Sequence, residues 1–147
     1  MDTQREGSCL CGAVRFRVRG DFEHFYLCHC SRCRKGSGSA HAANLFSASA
    51  QLQWLQGESR CRRFRLPGSR HERCFCEVCG SALPYALPHV DKNAEPNAQV
   101  SETLVVLPAG SLDDPLGQLP QAHLFEGARA DWDQQLETLP GFDALPE

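Results

Sequence analysis

Cys28-His29-Cys30-Ser31-Arg32-Cys33 is the stretch on which the reading of this chain turns. Cys9-Leu10-Cys11-Gly12 precedes it and Cys76-Glu77-Val78-Cys79-Gly80 follows. Seven of the nine cysteines fall into these groups, spaced C-x-C-x2-C, C-x-C and C-x2-C; Cys61 and Cys74 stand apart. A C-x-C pair on an extended segment puts both thiols on one face, because strand side chains alternate. In a C-x2-C turn closed by glycine, both thiols can face one ion, and glycine supplies the positive φ the turn needs. One C-x-C and one C-x2-C together supply four thiolates, enough to close a tetrahedral zinc shell. The middle group supplies three, which leaves one coordination position for water or substrate, the pattern of catalytic zinc. Spacing alone leaves the pairing open, since Cys28, Cys30 and Cys33 could also borrow a histidine or Cys74.

Disulfides fit this pattern poorly. Neighbouring C-x-C cysteines make strained bridges. The opening residues Met1 to Gly7 carry no apolar run of the kind a secretory signal has, which points to a reducing cytoplasm. The chain has 147 residues, 41% hydrophobic and 22% charged, the balance of one soluble globular domain spanning 1–147. No stretch is apolar for the length a membrane span requires. The net charge of −3 conceals an asymmetry: residues 1–75 carry +7 and residues 76–147 carry −10. Arg60, Arg62, Arg63 and Arg65 alternate with Cys61 and Phe64 as on a solvated strand face, and the overall balance is not that of a phosphate binder. No nucleic-acid partner is expected. A basic half packed on an acidic half accounts for the asymmetry, and a small anionic substrate in the basic half is compatible with it.

The hydrophobic pattern has the period of strands. Val14, Phe16 and Val18 alternate with Arg15, Arg17 and Arg19. Further strands are expected at Phe22–Leu27, His41–Ser47, Gln51–Leu55, Arg60–Leu66, Glu72–Phe75, Ser81–Ala86, Thr103–Leu107 and Ala122–Phe125, punctuated by Gly57 and Pro67-Gly68. Ser31–Ser39 reads as a loop or one helical turn, Asp91–Ser101 as an exposed loop, and the tail after Asp131 as a short helix. The fold class is mostly β, with short strands that gain from metal cross-links.

These residues resemble the glutathione-dependent formaldehyde-activating domain family, which includes centromere protein V. The resemblance runs, in order, through Cys9–Phe16, Cys28–Lys35 with Gly38-Ser39, Phe75–Leu83, Ala109–Pro115, His123–Phe125 and Trp132, about residues 7 to 142. It implies an Mss4-like (β-tent) fold of small antiparallel sheets stapled by zinc. It implies two zinc ions per chain: a structural one on Cys9, Cys11, Cys76 and Cys79, and an open, catalytic one on Cys28, Cys30 and Cys33. The implied activity is carbon–sulfur lyase chemistry, the reversible joining of glutathione and formaldehyde to S-hydroxymethylglutathione, with glutathione as co-substrate.

An open zinc would deprotonate an arriving thiol or polarise the oxygen of the aldehyde. Arg32, Arg34 and Lys35 are candidates for holding the carboxylates of an anionic thiol, or else simply a solvated loop. His29, between two ligands on an extended segment, is expected to point away from them and to pack or hydrogen-bond. Cys61, beside Phe64, and Cys74 are expected in the core, as are His123 and Trp132. Asp113 and Asp114 are expected to cap a turn. Glu95–Ser101 shapes a substrate mouth or is only a loop. Two other classes compete. A zinc-stabilised binding module needs no accessible metal, and a thiol redox enzyme needs a low-pKa cysteine that only Cys61 or Cys74 could provide.

Overall fold

A computed structural model describes residues 3–88 and 103–146. Short strands build it: β1 (Gln4–Ser8), β2 (Arg15–Arg19), β3 (His24–Cys28), β4 (Ala42–Ser47), β5 (Gln51–Gln56) and β6 (Cys61–Arg65). They continue with β7 (Glu72–Cys76), β8 (Ala82–Leu83), β9 (Tyr85–Pro88), β10 (Thr103–Pro108) and β11 (Ala122–Leu124). One α-helix, α1 (Ser31–Ser37), interrupts them. Three small sheets result, with strand orders β1-β2-β5, β11-β3-β4-β10-β9 and β6-β7-β8. Every pairing is antiparallel except β11 with β3. Among the described residues no helix is long and apolar enough to cross a membrane.

The alternation that marked β2 sets its burial. Phe16 and Val18 are buried, while the arginines face out and Arg17 pairs with Glu6 directly opposite at 2.8 Å. Phe16 meets Trp54 of β5 edge-on at 6.2 Å. One core joins the three sheets: Phe16 and Val18 from the first, with Val14 just before β2, Phe25, Leu45 and Leu107 from the second, and Cys74, Cys76 and Leu83 from the third. Cys74 therefore lies in the core as expected. Cys61 is half-buried against it, but Phe64, three residues along the strand, is exposed; residues an odd number apart face opposite sides.

β1 is polar and carries no strand signal of its own. It is held by its partners: Asp114 Oδ2 accepts from the Glu6 N–H and Asp113 Oδ2 from the Ser8 hydroxyl, each at 2.7 Å. These carboxylates thus do not cap a helical turn; the 3-10 turn at Ala109–Ser111 precedes them, and they satisfy the open edge of β1 instead. Gly7 of β1 stands opposite Phe16. A Cβ there would run into the Phe16 ring and the Ser111 carbonyl. Gly7→Ala should therefore cost about 2–3 kcal/mol, as overpacking does, read from urea unfolding midpoints.

The tail departs from expectation. It forms 3-10 turns at Glu126–Ala128 and Leu136–Thr138 rather than an α-helix. A turn in which the Asp133 N–H donates to the Ala130 carbonyl buries Ala130 and Asp133, and leaves Trp132 58% exposed rather than in the core. His123 is exposed on the edge strand β11. The Asp91–Ser101 loop, with Glu95–Ser101, lies outside the described residues.

Candidate functional site

Two thiol clusters form. In the first, Cys9 follows the end of β1 and the chain turns back through Gly12, whose N–H donates to the Cys9 carbonyl. Cys76 ends β7, and Gly80, at φ 77°, closes the turn that carries Cys79. The four sulfur atoms lie within 4.8 Å of one another, with Cys9 to Cys11 at 3.6 Å and Cys11 to Cys76 at 3.9 Å. A zinc–sulfur tetrahedron with bonds of about 2.3 Å has edges of about 3.8 Å, so the donor set fits that ion. The Ser81 hydroxyl, 3.2 Å from the Cys79 sulfur, and the Ser81 and Cys11 N–H groups hold the Cys79 thiol down to about 5. That places a thiolate in the cluster at neutral pH.

In the second, Cys28 ends β3, Cys30 caps α1, and Cys33 lies in the helix's first turn; their sulfurs lie within 4.8 Å of one another. The Cys33 N–H donates to the Cys30 sulfur at 3.4 Å. Burial works to raise the Cys30 thiol, but the Cys33 N–H and the neighbouring thiols outweigh it and bring the thiol below its ordinary value. Gly38, at φ 64°, ends the helix by donating to the Arg34 carbonyl. Glycine and serine leave this segment reading as a loop or one helical turn, and cysteine is not one of the residues that announce a helix start. Among the described residues no fourth His, Cys, Asp or Glu joins the three thiols. Cys74 sits elsewhere on β7, where burial pushes its thiol up to about 12.

Cys28 and Cys33 line a cavity of about 420 Å³ between α1, β4 and the third sheet. Its lining is partly apolar, with Phe46, Leu83, Leu104 and Val106. It also carries His41, Arg70, His71 and Arg73. Arg32, Arg34 and Lys35 lie on α1 and none lines this cavity; Arg32 and Lys35 are exposed, and the Arg34 Nε is buried without a partner. The guanidinium groups that do line it escaped the sequence reading because Arg70 and Arg73 lie some forty residues beyond the thiols and reach them only through the β6–β7 hairpin. A wider cleft of about 740 Å³ beside Cys61 and Cys74 touches none of the seven clustered cysteines.

His29 does point away from the thiols, into the protein. Its ring is fully buried, with Nε2 2.8 Å from His123 Nδ1 and Nδ1 3.2 Å from Asp133 Oδ2, close but not aligned as a hydrogen bond. Arg129 grips Asp133 with Nε on Oδ2 at 3.2 Å. This hydrogen bond outweighs burial and holds the Asp133 carboxyl below its ordinary 3.8. A carboxylate with a depressed folded pKa stabilises above its unfolded value and loses that contribution as pH falls through the folded one. Asp133→Asn should therefore be less stable than wild type at about pH 7, and the gap should narrow as pH falls below the ordinary 3.8, read from urea midpoints across that range.

The family described as "Glutathione-dependent formaldehyde-activating enzyme" matches residues 4–128, a span that holds all nine cysteines and both clusters. The chain belongs to this formaldehyde-activating family. A relative from Halomonas elongata, named "Putative glutathione-dependent formaldehyde-activating enzyme", is 32% identical over 136 residues, covering 86% of this chain and 78% of its own. An "Uncharacterized lyase" of Schizosaccharomyces pombe is 31% identical over 81 residues, 55% of this chain and 56% of its own. A crystal structure of a Rhodobacter sphaeroides protein superposes with a TM-score of 0.50 at 22% identity, covering 78% of this chain and 97% of that one; the likeness is one of fold.

Proposed function

We propose that this member of the formaldehyde-activating family is a zinc-dependent carbon–sulfur lyase, a single Mss4-like domain working in a reducing cytoplasm. Its substrate is a small thiol–aldehyde adduct such as S-hydroxymethylglutathione, made and broken reversibly. The observation that carries the reading is the three-thiol cluster with no fourth protein donor, opening on a cavity large enough for a small thiol. The closed four-thiol cluster is read as structural zinc and the open one as catalytic zinc.

An ion held by Cys28, Cys30 and Cys33 would supply Lewis acidity and lower the pKa of a thiol bound to it. The chain's own groups supply the rest. The apolar part of the cavity lining limits water, which would otherwise compete for the aldehyde carbon. Burial above all pushes His41 below its ordinary 6.5, so it lines the cavity as neutral imidazole. Breaking the adduct leaves the carbon–sulfur electron pair on sulfur and releases the hydroxyl proton, and His41 is placed to take that proton. The Tyr85 hydroxyl donates to the Glu72 carbonyl at 2.9 Å and is committed there.

The redox reading finds no support, because burial raises both Cys61 and Cys74, which removes the low-pKa thiol it needs. A bare binding module does not call for a three-thiol cluster with two of its members lining a cavity. The test is formaldehyde release from S-hydroxymethylglutathione by the zinc-loaded protein. Saturable release well above the uncatalysed rate is expected; release at the uncatalysed rate with both metals bound would overturn the proposal.

A further inference from the structure

We propose that Arg73, seconded by Arg70, is the specificity-determining group that binds a carboxylate of the thiol this protein accepts. The inference rests on reading the cavity as the substrate site. The cavity wall carries two guanidinium groups and one carboxylate, Glu72. Glu72 is already spent on Arg63, 2.8 Å away. Among the described residues neither Arg70 nor Arg73 has a carboxylate within ion-pair distance. His71 between them adds no charge at neutral pH: burial and then the charges of Arg32 and Arg73 push it below its ordinary 6.5. The wall is therefore positive, and a half-buried arginine without an internal partner is an unfilled anion site.

Arg73 is also fixed in place. Helix α1 crosses directly over it: a Cβ added at Gly36 would lie 3.0 Å from Arg73 Cδ and 3.8 Å from His71 Nε2. On its other side the guanidinium carbon stands 5.8 Å from the centre of the Phe75 ring. Glycine inside a helix costs stability, and here it leaves the room that Arg73 occupies. Gly36 is three residues after Cys33, so both lie on one face of α1, about 4.5 Å apart along the axis. Arg73 thus sits roughly one helical turn from a thiol of the open cluster. A sulfur placed at that cluster and a carboxylate a few bonds away can be held together, which describes mercapto acids and cysteine-containing peptides. The apolar residues that share the cavity offer no counterpart for a cationic thiol.

Turnover of the formaldehyde adducts of glutathione and of glutathione diethyl ester tests this, alongside calorimetric binding of the two free thiols, with wild type, Arg73→Gln and Arg73→Lys. Wild type should prefer the acid adduct by about 10- to 100-fold in kcat/KM, chiefly through KM. Arg73→Gln should erase that preference, and Arg73→Lys should keep part of it, since the charge remains but the fork is lost. If wild type treats acid and ester alike, or Arg73→Gln keeps the wild-type preference with an unchanged melting curve, the carboxylate site is wrong. If wild type turns over neither adduct yet binds glutathione over its ester through Arg73, the carboxylate site stands and the lyase reading falls. If it binds neither thiol, both fall.

Discussion

Replacing Cys76 with serine is expected to leave the chain without a stable fold. Cys76 is fully buried at the end of β7, and its cluster ties that strand to the turn after β1, more than sixty residues earlier. No described strand exceeds six residues, and the core is shared thinly among three small sheets. A domain of this size has a net stability of about 5–15 kcal/mol. Structural zinc on cysteine ligands is worth about 10–16 kcal/mol at neutral pH in small zinc peptides. Loss of one ligand removes more than the margin can bear and leaves three clustered thiols without their ion. Circular dichroism with zinc analysis reads this: the variant should lack a cooperative melt and hold little metal. A variant that melts like wild type and still holds two zinc ions would show that the four thiols do not share one.

The second large effect separates the clusters. A protein with Cys28→Ser, Cys30→Ser and Cys33→Ser should keep its fold, fall from two zinc ions per chain to one, and lose lyase activity on the order of 10³-fold or more. The fold should survive because β3 is bonded on both sides by backbone, to β4 and to β11, and needs no thiol to stay in its sheet. α1 is short and presents no fully buried residue to the core. The activity loss follows from removing the thiol cluster, two of whose members, Cys28 and Cys33, line the cavity beside the arginines. One zinc ion in both proteins would mean that the middle cluster holds none, and a binding role would then explain the fold better.

Much of this architecture was legible in the sequence, for an identifiable reason. β2 and the other core strands announce themselves because burial on one face imposes alternation, and the thiol groups because metal spacing is local. What stayed hidden was whatever depends on a distant partner. β1 is polar and becomes a strand only beside β2 and two aspartates a hundred residues away. α1 starts on a cysteine cap and contains glycine, so its helical signal is weak; it forms over Arg73. Trp132 reads as core on size alone, but the turn at Ala130–Asp133 chooses the aspartate, because Arg129 and His29 wait for it. The arginines of the cavity lack any motif, whereas Arg32, Arg34 and Lys35 adjoin one and line nothing there.

The parallel pairing of β11 with β3 gives the molecule a timetable. As the chain leaves the ribosome, Cys28, Cys30 and Cys33 emerge first as a complete set, while Cys9 and Cys11 wait for Cys79 and the strand that ends in Cys28 waits longer still for Leu124. Until then that strand offers a bare edge to any neighbour able to pair with it. The last strand to dock therefore seals the edge of β3, and a chain stopped near residue 120 would carry its three clustered thiols at the open border of a sheet.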